Sequence, residues 1–160
     1  MPALGGGFGP GFKVESGYEL VGDNYVAGGT TTPDNDPMDR LGHGTHVAGI
    51  IGSNDNDLPG VVPEATLRSY KVFGCGDCAS LDVAIDAFLR AYKDGADLIN
   101  ASLGSTQGFP DDPTVLVTSM IQAAGVFVAV ANGNSGATGK QPLGSAFSTL
   151  IISCRAILYW

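Results

Sequence analysis

The only two histidines of this 160-residue chain fall in one run, Gly42-His43-Gly44-Thr45-His46-Val47-Ala48-Gly49-Ile50-Ile51-Gly52. An imidazole titrates near neutrality. A histidine fixed where a loop enters an apolar helix, between glycines too small to crowd it, has the chemistry of a general base. His43 is that candidate, and what it would activate is the central question. His46, three residues on, is expected to face the other way, into the packing of the helix. A metal reading of the two fails on spacing, because helical ligand pairs want i, i+4 as in HExxH, and the glutamate of that motif is absent.

Other side chains invite other chemistry. Cys75 and Cys78 form a CxxC, and Cys154 stands alone. The pair could be redox-active, half of a zinc site, a local disulfide or two free thiols; no second CxxC or suitably spaced histidine completes a zinc set, so local structure is the expectation. Asn134-Ser135-Gly136-Ala137-Thr138-Gly139-Lys140 follows an apolar strand pattern like a phosphate-binding loop. It lacks glycine at Asn134 and Ser or Thr at Gln141, which leaves a nucleotide-binding α/β domain as a remote alternative. GGGFGPG has no strand before it and is weaker still. Asn100-Ala101-Ser102 matches a glycosylation acceptor but lies in a predicted buried strand, so it is expected to be unmodified.

Composition narrows the class. Hydrophobic residues make up 44% and charged residues 15%, as in a soluble globular α/β chain. The formal charge of −8 argues against nucleic acid and against an anionic membrane surface, both of which call for Lys and Arg. No run approaches the ~18 apolar residues of a membrane span. The opening MPALGGGFGPG lacks the basic and apolar regions of a signal peptide, so no secretion address is expected in this chain.

The elements that must position His43 can be sketched. Residues 1–40 read as loop, rich in Gly, Pro, Asp and Asn, with one apolar patch at Tyr18, Leu20 and Val21. His46 to Ile51 reads as a short buried helix, and Ala65 to Phe73 as a strand. Leu81, Ile85, Phe88 and Tyr92 recur at helical spacing, with Ser80 as N-cap and Gly95 just past the end. Leu98 to Leu103 is a strand; Asp112-Pro113 opens a helix that Gly125 closes; Val126 to Ala131 reads as a strand buried on both faces. Alternation of this kind gives a parallel sheet with right-handed crossovers, whose functional groups gather at the carboxyl ends of strands. Gly74 to Cys78, Ser102 to Gly104, and Asn132 to Gly136 should therefore open on one edge.

At these positions the chain resembles the subtilisin-like serine proteases (subtilases, peptidase family S8). GHGTHVAGIIG is similar to their histidine motif, SYKVFG to the edge strand that holds an extended substrate, NASLG to the strand lining the primary specificity pocket, and VAVANGNSG to the strand and loop bearing the oxyanion asparagine. The resemblance runs from about Pro2 to about Gly136, most like the large secreted subtilases of fungi and bacteria. It implies an α/β fold, a three-layer arrangement of parallel sheet flanked by helices, incomplete here. Residues 1–136 would be a partial catalytic domain and 137–160 a divergent C-terminal segment. It further implies His43 as general base and Asn134 as the side-chain donor to the oxyanion of the tetrahedral intermediate. Lys71, Val72, Phe73 and Gly74 on one side, and Ser102, Leu103 and Gly104 on the other, would bind a peptide as an inserted strand. The substrate would be a polypeptide, the setting extracellular and the oligomeric state open. No cofactor or metal is implied by the residues, although calcium binding occurs in the family.

Two parts of the family pattern are missing from this sequence. The triad runs Asp, His, Ser along the chain, and no Asp-Thr-Gly or Asp-Ser-Gly precedes His43; Asp23, Asp34, Asp36 and Asp39 sit in loop contexts. Met1 is expected to start just beyond the aspartate strand, leaving a gap in the sheet or forcing its neighbours together. No Gly-Thr-Ser-Met-Ala helix start follows Asn134. Thr118-Ser119-Met120 mimics three of its letters inside a predicted helix, which makes Ser119 a decoy. SAFSTLIISCRAILYW is expected to end on an apolar, strand-like run with no closing element, an aggregation hazard. The expectation is a fragment of a subtilisin-like endopeptidase, inactive alone, with a noncatalytic peptide-binding remnant as the alternative.

Overall fold

Among the described residues, five short strands, all parallel, form one sheet. The computed structural model describes residues 4–76, 79–103, 112–131 and 156–159. In chain order its elements are β1 (Val14–Glu19), α1 (His43–Gly52), β2 (Leu67–Lys71), α2 (Leu81–Lys93), β3 (Leu98–Ala101), α3 (Pro113–Ala123), β4 (Phe127–Val130) and β5 (Ala156–Tyr159). The sheet order is β1-β2-β5-β3-β4. The α/β alternation expected from hydrophobic periodicity is thus present.

Local signals set most element ends. Asp112 caps α3 by accepting from the Thr114 N–H at 2.8 Å, with Pro113 in the first turn where its missing N–H costs nothing. Gly95 and Gly125 follow α2 and α3 in the left-handed region, at φ 80° and 95°. Ser80 is the N-cap of α2, but its side chain makes no capping bond; its Oγ accepts from the Tyr25 hydroxyl at 2.7 Å.

Several expectations need correction. β1 lies in the stretch expected to be loop: Val14-Glu15-Ser16-Gly17-Tyr18-Glu19 has little strand signal of its own, and it is extended because it pairs with β2, across an irregularity between Val14 and Ser16. The buried stripe of α2 is Val83, Ala84, Ala87, Phe88 and Ala91; of the expected stripe, Phe88 is buried while Leu81 and Tyr92 are exposed. Small alanines let α2 approach its neighbours closely. β4 is not buried throughout: among the described residues it is the edge of the sheet, Phe127 and Ala129 on one face are half-buried, and on the other Val128 is buried while Val130 is 49% exposed. The sheet is neither gapped nor closed directly from β2 to β3. β5, the apolar run expected to lack a closing element, pairs on both edges and lies between them.

The alternation of strand side chains sorts the core into two clusters. Tyr70, Ile99, Ala101 and Val128 pack with Val83, Ala87, Phe88 and Ile121. Leu67, on the opposite face of β2 from Tyr70, packs with Leu4, Val14, Ala48 and Ala65. α2 and α3 pack against each other, and α1 lies against β5.

Candidate active site

The loop before α1 determines how His43 is held. Gly42 occupies the N-cap position at φ 92°, a left-handed conformation suited to glycine, and has no side chain with which to cap. Asp39 does the capping instead. Its Oδ1 accepts from the Leu41 and Gly42 N–H groups, both at 2.8 Å, and its Oδ2 accepts from the Thr45 N–H at 2.7 Å and the Thr45 hydroxyl at 2.6 Å. A carboxylate at a helix N-terminus also meets the positive end of the helix dipole. Burial works against the charge, but the bonds from Thr45, Gly42 and Leu41 outweigh it and hold the Asp39 carboxyl below its usual range. Sequence reasoning set Asp39 aside as a loop acid. The signal was its spacing, three residues before a glycine that opens a helix and six before a threonine.

α1 then fixes the orientation of both histidines. Its buried positions are Gly44, Ala48 and Gly52, one stripe at i, i+4, i+8 that presses against β2: a Cβ on Gly52 would come within 3.0 Å of Leu67. His43 is exposed at the first position of the helix. His46 is exposed too, which corrects the expectation that it faces the packing: two residues along a helix from Gly44 is about 200° away from the buried stripe.

A recess joins the start of α1 to the carboxyl end of β2. It is lined by Asp39, Arg40, Leu41, His43, Gly44, Lys71, Phe73 and Gly74. Three of the expected site positions, Lys71, Phe73 and Gly74, therefore border the same space as His43. Lys71 and Val72 have buried side chains, so neither presents itself to solvent. Gly74 is required by close approach: a Cβ there would lie 2.6 Å from the Tyr25 carbonyl oxygen and 2.8 Å from that of Asp23. The adjacent Cys75 N–H donates to the Asp23 carbonyl at 2.7 Å.

Under this recess runs a charge cluster that sequence reasoning did not anticipate. Lys71, 2% exposed, sits 2.8 Å from Glu19 Oε1 and donates a hydrogen bond to Asp23. Glu19 Oε1 has the ion pair without hydrogen-bond alignment. Asp23 in turn meets Arg40 at 3.3 Å, and Arg40 meets Asp36 at 3.2 Å. Burial raises the Glu19 carboxyl, with Lys71 pulling the other way. The bond from Lys71 is the largest cause lowering Asp23. For Lys71 burial opposes the charge, but Asp23 and Glu19 prevail and raise its pKa. Glu19 ends a strand with little signal of its own, so no pattern in the sequence points to it.

Ser102 and Leu103 follow β3 at the same edge of the parallel sheet as Val72 to Gly74 follow β2. Both are half-buried; the Asn100 amide donates to Ser102 Oγ at 3.0 Å, and Leu103 packs on the larger cluster. Gly104, Asn134, Cys78 and Cys154 lie outside the described residues, as do Asn132 to Gly136 and the phosphate-loop-like segment through Gln141. Cys75 is an exposed free thiol. Ser119 lies in the middle of α3. Among the described residues no group of three or more His, Cys, Asp or Glu could hold a metal ion, and no helix is long and apolar enough to cross a membrane.

Comparison with known proteins bears on the same segment. A family model described as "Subtilase family" matches residues 17–153. The chain is 39% identical over 129 residues to the minor extracellular protease Vpr of Bacillus subtilis, which takes in 80% of this chain and 16% of that protein. It is 35% identical over 134 residues to the PII-type proteinase of Lacticaseibacillus paracasei, covering 77% of this chain and 7% of that one. With subtilisin DY of Bacillus licheniformis the identity is 33% over 124 residues, 75% of this chain and 42% of the relative. The chain thus spans less than half the length of each.

Proposed function

Because this chain belongs to the subtilase family, we propose that it is part of the catalytic domain of a subtilisin-like serine endopeptidase, with His43 as its general base. The observation that carries the reading is the recess in which a rigidly capped helix start brings His43 beside Lys71, Phe73 and Gly74 at the carboxyl end of a parallel strand. In peptide-bond hydrolysis the imidazole takes the proton of a serine hydroxyl as it attacks the carbonyl, then returns it to the leaving amine. Asn134 donates to the oxyanion; Val72 to Gly74 and Ser102 to Gly104 flank the peptide as neighbouring strands. The division of the core between opposite faces of the sheet supports a three-layer arrangement. The word extracellular in the name of the Vpr relative supports a polypeptide substrate met outside the cell.

On this reading no serine or aspartate among the described residues is placed as a partner of His43. Asp23 is bound to Lys71 and Arg40, Asp39 to the start of α1, and Ser119 sits mid-helix. The 160-residue chain by itself therefore retains at most the residual catalysis of binding and an oxyanion donor. Incubated with a fluorophosphonate probe it is expected to remain unlabelled. Specific labelling at Ser119 would overturn that assignment.

A further inference from the structure

We propose that Asp23 is a positioning residue of the recess, which fastens the segment after β2, residues 72–75, to the loop before α1 and so fixes where a peptide on that segment lies relative to His43. The inference rests on the reading of His43 as general base. Asp23 makes its attachments with three different atoms. Its main-chain carbonyl accepts from the Cys75 N–H at 2.7 Å. Its Oδ1 accepts from Lys71 Nζ at the end of β2, and its Oδ2 accepts from Arg40 Nε at 3.3 Å. Arg40 directly follows Asp39, whose carboxylate holds the N–H groups of Gly42 and Thr45 on either side of His43. The wall made by Lys71, Phe73 and Gly74 and the wall made by Arg40, Leu41 and His43 thus meet in one residue.

The turn that carries Asp23 is anchored on both sides. The Tyr25 N–H donates to the Gly22 carbonyl at 3.0 Å, which closes a turn around Asp23 and Asn24. Gly22 stands at φ 94°, and a Cβ there would lie 2.0 Å from Thr32 Oγ1. Tyr25 is buried, and its hydroxyl donates to Ser80 Oγ at 2.7 Å. Stability alone does not account for the carboxylate on this turn. The Asp23 and Arg40 side chains are 44% and 43% exposed, and ion pairs so exposed add little to folding. Lys71 has Glu19 as a second partner. What the carboxylate supplies is alignment, because each of its oxygens serves a different wall. The bond from Lys71 chiefly, helped by that from Arg40, outweighs desolvation and holds the Asp23 carboxyl below its usual range, so the link is charged at neutral pH.

The test uses the full chain carrying Asp23→Asn, which keeps the main-chain carbonyl and the size of the side chain but removes the charge. Amide hydrogen exchange at Gly42 and Thr45 is expected to speed up roughly threefold or more, while exchange at Ile99 and Val128 in the core stays as it was. The imidazole carbon-bound proton signal of His43 should move, and that of His46, exposed on the same helix, should not. Arg40→Gln should give the same changes, and the double variant should match Arg40→Gln alone, because both substitutions break one link. Asp23→Glu, which restores a carboxylate, should recover most of the protection at Thr45. Unchanged exchange at Gly42 and Thr45, exchange raised equally at Ile99 and Val128, or single effects that add in the double variant overturns the proposal. A His43 signal that moves without faster exchange at Thr45 reports only a lost charge nearby and also counts against it. None of these measurements requires catalysis, so a missing link leaves the role of His43 untouched, and a different role for His43 leaves the link to be measured.

Discussion

Asp39 and Lys71 hold the two sides of the recess by opposite means, one by many hydrogen bonds at a helix start and the other by buried ion pairs. For Asp39 the sequence offered an acid in a turn-rich loop, and only the folded loop shows its carboxylate facing α1. Replacing it with alanine should cost about 1–2 kcal/mol, the range for a lost cap, measured as a shift in the urea midpoint. The folded-state pKa of Asp39 is depressed, so its contribution is present above the unfolded carboxyl pKa and disappears as pH falls through the lower folded value. Asp39→Asn should therefore flatten the stability profile on the acid side and leave the slope above pH ~5 unchanged. Lys71 behaves differently because Glu19 is 3% exposed. Lys71→Met strands a buried carboxylate and should destabilise by about 3 kcal/mol or more at neutral pH. Without its cation Glu19 stays protonated to higher pH. A raised folded pKa gives stability below the unfolded value that is lost as pH rises, so the deficit of Lys71→Met should shrink between neutral and mildly acid pH. Thermal unfolding at several pH values measures this, and a deficit that is constant across them would contradict the pairing.

Elements were legible where local chemistry fixes them and illegible where tertiary pairing does. Asp112-Pro113, Gly95 and Gly125 mark helix ends because each satisfies or frees a particular backbone group. β1 escaped notice because its residues are extended only by virtue of β2 alongside, and the exposure of His46 escaped because the buried stripe of α1 is made of glycine and alanine, which carry no hydrophobic signal. The recess itself depends on such small residues. Gly74 lets residues 72–75 lie against 23–25, and a methyl group at 2.6 Å from a carbonyl oxygen forces those backbones apart. Gly74→Ala is expected to cost about 1–3 kcal/mol and to expose the Cys75 amide, now bonded to Asp23, to solvent exchange. A variant with unchanged midpoint and unchanged Cys75 exchange would show that the approach is looser than described.

At the scale of the whole molecule, the sheet separates two apolar clusters of unequal size, and that separation makes a claim about energetics. Alternation was enough to expect buried strands, but the sequence could not assign faces, because register depends on which strand stands beside which. Ile121, on α3, belongs to the larger cluster, and Ala48, on α1, to the smaller. Ile121→Val removes one buried methylene and should cost about 1 kcal/mol; Ala48→Gly loses helix propensity and packing for roughly 1 kcal/mol. Sites without shared partners add, so the double variant should equal the sum of the singles within ~0.5 kcal/mol. Coupling well beyond that, read from urea midpoints at constant slope, would mean that strain crosses the sheet. The route for it would be β5, which lies against α1 and is bonded on both sides to β2 and β3, strands whose residues reach both clusters, so the same double variant built on Leu158→Ala is the informative comparison. If β5 is what makes one unit of the β1-β2 and β3-β4 pairs, weakening it should change how the two clusters unfold together while leaving each single cost near its original value.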